Sequence, residues 1–323
     1  MQDIRETCET FEIQGTGEVS GTQDPCVAWL KNCRLCPRDC GVDRLAGQTG
    51  YCGSGAAARV AHTQLHMWEE PCISGREGSG TVFFSGCSLG CVYCQNRAIN
   101  DGTVGRDTTD RELADIFLSL QAQGANNINL VTAAHFVPQT VRALRLVKGN
   151  ALKIPVVYNS SGYEKTSALR LLEGSVDVYL PDLKFVNPDT ALRYAGAPDY
   201  PETARSAIAE MVRQAGKPVF DSRGMIRKGV IVRILLLPGH VREAKEAVSY
   251  LLDTYGDDVY ISLMNQYTPM PGMEGDPLLS RKVTRREYER LVGFALSYGL
   301  VNGYIQEGET AKESFIPMFG KGL

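Results

Sequence analysis

Cys87, Cys91 and Cys94 stand four and three residues apart in the stretch Gly86-Cys87-Ser88-Leu89-Gly90-Cys91-Val92-Tyr93-Cys94-Gln95-Asn96. Thiolates are soft ligands that select zinc, copper(I) or iron–sulfur clusters, and glycines at 86 and 90 let a short loop curl around such a centre. A structural zinc site is closed by four protein ligands and a fully ligated cubane takes four cysteines, whereas this loop offers three with no fourth close by. One metal position is therefore left open for a small chelating molecule. The alternatives, a zinc knuckle or a set of buried apolar cysteines, fit the spacing and the glycines less well. Just upstream, Thr81-Val82-Phe83-Phe84-Ser85 is a β-branched and aromatic run that reads as a buried strand. The loop then hangs from a strand's carboxyl end, where barrel enzymes carry their chemistry.

A second group precedes it. Cys33, Cys36 and Cys40, with Cys52 after the glycine-rich turn at Gly47 and Gly50, make a four-thiolate set that would close around zinc or around a second iron–sulfur cluster. So small a segment cannot bury a core of its own, which favours a metal over free thiols. Cys8, Cys26 and Cys72 are scattered and are expected to be ordinary reduced thiols. His62 and His66 are four apart, as on one helix face, and suggest a metal or proton-transfer pair, with Glu69 and Glu70 nearby. Pro71, Gly75, Gly78 and Gly80 break that stretch, so packing or hydrogen bonding is the expected role.

Composition narrows the class. With 34 Lys and Arg against 37 Asp and Glu the net charge is −3, and no basic run suggests nucleic acid or a membrane surface. No apolar stretch reaches the length of a membrane-spanning helix, and Met1-Gln2-Asp3-Ile4-Arg5-Glu6 lacks the features of a signal peptide. A cytoplasmic location is expected, in which the 10 cysteines are better explained by metal ligation than by disulfides.

The elements that must position the cysteine loop follow from periodicity. Strand-like runs at 81–85, 129–132, 155–158, 176–180, 230–235 and 259–263 alternate with helical patterns at 110–118, from Pro138, and at 164–173, 201–215, 241–254 and 284–298. That alternation predicts a parallel sheet with right-handed crossovers, an α/β fold of the partial (β/α)6, TIM-like barrel type. The expected organisation is a flexible arm over 1–25, a cysteine-rich metal module and connector over 26–75, the open barrel over 76–300, and a tail over 301–323 packed on the barrel.

The cysteine spacing, with the aromatic Tyr93 before the last cysteine, resembles the signature of the radical S-adenosylmethionine (SAM) enzymes. The resemblance implies a 4Fe-4S cluster on Cys87, Cys91 and Cys94 whose remaining iron is held by SAM, and reductive cleavage of SAM to a 5'-deoxyadenosyl radical. In an open barrel the strand ends converge on that loop, and their residues suit SAM. Tyr93 is expected near the adenine. Thr132 and Ala133, followed by Ala134, stand where many relatives carry a glycine-glycine-glutamate segment, and small side chains there allow close backbone approach. Asn159, Ser160 and Ser161 offer hydrogen bonds to ribose or carboxylate oxygens. Asp182 and Lys184, two apart on an extended chain, share one side of it, and Arg233 needs a carboxylate partner that SAM would supply. His135 is placed equally well facing substrate or in the core.

The segments 158–163, 177–184 and 262–267, together with the four-cysteine element, resemble the pyruvate formate-lyase-activating-enzyme-like branch (PflX type) from about residue 30 onward. That resemblance implies hydrogen abstraction from a glycine of a partner glycyl radical enzyme, with reduced flavodoxin or ferredoxin as electron donor. Two other readings are radical modification of a peptide or small metabolite, and a non-catalytic iron–sulfur or zinc protein for electron transfer or interaction. Gln266, Tyr267, Gln306 and Glu307 are candidates to line the substrate opening, with core polar roles as the alternative.

Overall fold

The computed structural model of the chain describes residues 25–306. The expected arm up to residue 24 with Cys8, and the end of the tail from Glu307 onward, lie outside the described residues. In chain order the elements are α1 (Pro25–Lys31), β1 (Ala58–His66), α2 (Pro71–Ser74), β2 (Ser79–Phe84), β3 (Arg106–Thr108), α3 (Asp110–Ala122), β4 (Ile128–Val131), α4 (Val137–Val147) and β5 (Val156–Ser160). They continue with α5 (Thr166–Leu169), β6 (Val178–Pro181), α6 (Pro188–Ala195), α7 (Tyr200–Ala215), β7 (Val219–Phe220), β8 (Ile226–Leu235), α8 (Val241–Tyr255), β9 (Tyr260–Met264), α9 (Arg285–Tyr298) and β10 (Gly303–Ile305).

The six apolar runs pair in chain order as parallel neighbours, β2-β4-β5-β6-β8-β9, and the sheet does not close on itself. Every residue of β2, β4, β5 and β6 is buried, as parallel strands covered on both faces require. The helices begin where local chemistry asks them to. Thr109 caps α3 in a reciprocal pair with Glu112, and Thr284 does the same for α9 with Glu287. Pro138 sits in the first turn of α4.

The sheet extends past the expected barrel at both edges. Residues 58–66, read as part of a connector, form β1, which runs antiparallel along β2, with β3 antiparallel beyond it. A strand has a side-chain period of two, so His62, Gln64 and His66 share one face and bond in sequence at 3.2 Å each. The helix-face reading of the two histidines is thus replaced by a strand-face one, because β2 templates the extended form. At the other edge, residues 303–305 of the expected tail form β10, a seventh parallel strand beside β9. The helix expected over 164–173 shortens to α5 followed by a 3₁₀ turn at Arg170–Leu172, and α6, capped by Asn187, was not foreseen.

Candidate functional site

Directly after β2 the chain turns through Gly86, whose N–H donates to Ile99 O at 2.6 Å. Its φ is +89°, and a Cβ there would meet Cys52 O at 2.4 Å, so only glycine fits. The turn delivers Cys87, Cys91 and Cys94 to the wall of a cavity of about 470 Å³, a usual size for a small-molecule site. The Leu89 N–H points at Cys87 Sγ at 3.4 Å. Burial pushes the Cys91 thiol up to about 12; the Lys184 ammonium draws it down, and Cys94 and Cys87 push it further up, so the sulfurs act on one another across the loop. Tyr93 packs edge-on among Phe185, Tyr194 and Tyr267 and lines the cavity behind the cysteines.

The facing wall is a network of buried charge. Lys184 Nζ donates to Asp182 at 2.6 Å, and Arg233 donates to Asp182 at 2.9 Å, to Asn159 Oδ1 at 2.5 Å and to Glu69 at 3.3 Å. Glu69 also accepts from Asn129 at 3.1 Å and from Asn159 at 3.2 Å. Burial alone would raise the Asp182 carboxyl, but Arg233 and Lys184 outweigh it and hold it below its ordinary range. Glu69 is raised by burial in spite of Arg233, and so is its neighbour Glu70, which has one buried oxygen without a hydrogen-bond partner. Three carboxylates therefore share two cations, an arrangement that costs free energy unless a cation or a proton joins it.

Most of the strand-end candidates meet here. Thr132, Asn159, Ser160, Ser161, Asp182, Lys184 and Arg233 line the same cavity as Tyr93 and the three cysteines. Ala133 is 1% exposed and lies off the cavity wall. Thr132 has a φ of +61°, a left-handed conformation that a β-branched residue adopts at a cost. The Ser160 hydroxyl is already committed, donating to Glu164 at 2.6 Å and accepting from Gly162 N–H at 3.0 Å. Arg233, for which the sequence suggests only a cofactor carboxylate, is held by Asp182 and Glu69 of its own chain. His135 belongs to the core: it is 1% exposed, bonds Ser85 O at 2.8 Å, and burial lowers it to about 4. Tyr267 is likewise a core group, its hydroxyl donating to Leu279 O at 2.6 Å, whereas Gln266 and Gln306 line the cavity. Glu69 was not singled out from the sequence as a site residue. The only signal was a pair of acids beside Trp68 and Pro71, since its partner Arg233 is 164 positions away.

The cysteine-rich module lies against the back of the loop. Cys33, Cys40 and Cys52 surround Cys36 closely enough to act on its thiol, which burial pushes up to about 12. Cys72 stands apart, a buried thiol also raised to about 12 by burial. Among the described residues no group of three or more His, Cys, Asp or Glu is already spaced to hold a metal ion, and that applies to Cys87, Cys91 and Cys94 and to the module alike.

An open sheet of parallel strands and helices, with a three-cysteine loop on its first parallel strand and a charged cavity at the strand ends, defines a partial-barrel enzyme. Residues 81–251, more than half of the chain, match the Radical SAM superfamily, and the chain belongs to it. The family implies a 4Fe-4S cluster and SAM, and three thiols beside a cavity with charges of both signs fit them. An uncharacterized protein of Methanocaldococcus jannaschii, MJ0674, is 28% identical over 278 residues, 84% of this chain and 76% of that one. Among solved structures, Streptococcus suis SuiB bound to its precursor peptide SuiA overlaps 69% of this chain at 13% identity and a TM-score of 0.45. Methylornithine synthase (PylB) overlaps 68% at 12% identity and a TM-score of 0.46. The chain spans 47% of SuiB and 62% of PylB. Among the described residues no helix is long and apolar enough to cross a membrane.

Proposed function

We propose that the chain holds the cluster on Cys87, Cys91 and Cys94 and SAM along Tyr93, Thr132, Asn159, Ser160, Ser161, Asp182, Lys184 and Arg233, and that its substrate hydrogen belongs to a glycine of a partner enzyme. The observation that carries the site is that the three thiols and the Asp182–Arg233 network face one cavity of about 470 Å³. Held there and supplied with one electron by a flavodoxin- or ferredoxin-class donor, the cluster and SAM would supply radical chemistry able to remove one hydrogen atom from the substrate.

The residues of the chain bind, orient and exclude water. Lys184 lowers the pKa of Cys91, favouring the thiolate that ligates. Arg233 and Lys184 keep Asp182 ionised, so this carboxylate accepts hydrogen bonds or pairs with a cation. The aromatic packing around Tyr93 gives the adenine a rigid apolar wall. On the cavity wall Gln266 joins two other glutamines: Gln95 Nε2 donates to the Gln266 backbone O at 3.1 Å and Gln306 Nε2 to Gln266 Oε1 at 3.2 Å.

The test uses the hydrogen itself. Reconstituted protein with dithionite and SAM is offered either the protein fraction or the dialysable fraction of cells grown on α-deuterated glycine, and 5'-deoxyadenosine is analysed by mass. Deuterium arriving from the protein fraction supports the reading. Deuterium from the dialysable fraction alone refutes the glycine assignment, and no 5'-deoxyadenosine from a fully loaded protein refutes SAM cleavage at this site.

A further inference from the structure

We propose that Cys33, Cys36, Cys40 and Cys52 form a second, coordinatively closed thiolate metal centre that clamps the Cys87–Cys94 loop from behind. Residues 32–57 contain no helix or strand, and within 33–52 only Leu35, Cys36, Arg44 and Cys52 are buried. So long an irregular stretch, ordered on so little apolar burial, needs another tie. Its backbone is instead folded into turns that gather the cysteines: Cys33 N–H donates to Val42 O and Gly41 N–H to Cys33 O, both at 2.9 Å, and Asp39 N–H returns to Cys36 O at 3.1 Å. The Tyr51 N–H points at Cys40 Sγ at 3.4 Å, and a Cβ on Gly50 would come within 2.8 Å of that sulfur. Four cysteines gathered by turns, one with a backbone N–H aimed at its sulfur, are the donor set of a saturated soft-metal site.

Its position gives it a task. The carbonyl of Cys52 packs on Gly86, the residue before the first loop cysteine. Arg38, between Cys36 and Cys40, donates to Ser88 O and Leu89 O inside the loop, each at 2.9 Å, and to Ala195 O and Gly196 O behind it at 2.9 and 2.7 Å. Tyr51, one residue before Cys52, donates to Leu89 O at 3.3 Å. Arg44 ties the module to the barrel through His135 O at 2.6 Å. A metal that fixes the four cysteines also fixes Arg38 and Tyr51, and through them the backbone of the catalytic loop.

Zinc(II) and a four-iron cubane share this ligand chemistry, and the test separates them. Full-length chain carrying Cys87→Ala, Cys91→Ala and Cys94→Ala is loaded with zinc, or anaerobically with iron and sulfide, and metal and labile sulfide are counted. About one zinc, or about four irons with four sulfides, retained per chain supports the proposal and names the metal. No stoichiometric metal of either kind overturns it. In the chain with the loop cysteines intact, Cys40→Ser, at an exposed ligand, is expected to weaken module loading and to alter the electron paramagnetic resonance of the reduced loop cluster on SAM addition. An unaltered spectrum in a variant that has lost the module metal overturns the clamp. Metal retained by the triple variant while the wild type forms no 5'-deoxyadenosine would leave this centre standing and remove the proposed reaction.

Discussion

Arg233→Met is the perturbation that the charged cavity wall makes most informative. Methionine keeps much of the side-chain volume and removes the cation, leaving Asp182, Glu69 and Glu70 with Lys184 alone. Arg233 holds Asp182 at 2.9 Å, Glu69 at 3.3 Å and Asn159 at 2.5 Å, and its side chain is 12% exposed. Breaking one side of such a buried pair costs about 3–5 kcal/mol, because the partner charge is left uncompensated. For a chain of this size that is a fall of roughly 4–7 °C in thermal midpoint. The loss carries a pH signature. Without the cation, Glu69 and Glu70 rise further above their unfolded values and Asp182 loses much of what holds it below its own, so the folded variant binds protons that the unfolded chain has released. Its stability then falls as pH rises from about 5, and the gap to the wild type widens toward pH 8. Anaerobic thermal melts of both reconstituted proteins at pH 5.5, 7 and 8, with SAM affinity by calorimetry, measure it. A gap below about 1 kcal/mol, or one constant across pH, would refute the placement of Arg233 as the cation of this network.

Burial pushes the Glu164 carboxyl from 4.5 up to about 7, so its contribution is fully present below pH 4.5 and is lost as pH rises to 7. That is roughly 3 kcal/mol, visible as a pH slope in wild-type melts that Glu164→Gln abolishes. Thr132→Gly relieves a left-handed β-branched residue at a site wall, and the strain released outweighs the added chain entropy by about 0.5–1 kcal/mol, so the thermal midpoint rises. A fall instead would mean that the threonine side chain contributes more than its strain costs. Arg38→Ala removes four hydrogen bonds to loop and barrel carbonyls, with an expected loss of about 2–4 kcal/mol in melts and slower 5'-deoxyadenosine formation, while the metal proposed for the module is expected to stay bound.

Local pattern determined a large share of this protein. The three-cysteine loop is contiguous, so the ligand set proposed for the cluster is read from eight residues without a fold. The six parallel strands and the Thr109 cap follow from side-chain period and capping chemistry, which act within a few residues. Where the strand ends meet was also legible, because parallel crossovers leave the sheet little choice of topology. What only the tertiary structure decided lies between residues far apart in the chain. Glu69 reaches Arg233 across 164 positions, Arg38 reaches the loop across 50 and α6 across 157, and β1 and β10 become strands by pairing with neighbours rather than by their own sequences. His135 is a core residue packed on Phe136 and bonded to Ser85 O, and the Thr132 N–H is held by Asn159 O at 2.9 Å. Periodicity reports which face a side chain occupies, whereas the identity of its partner is set by how the sheet curls, and the cavity is built from such partners.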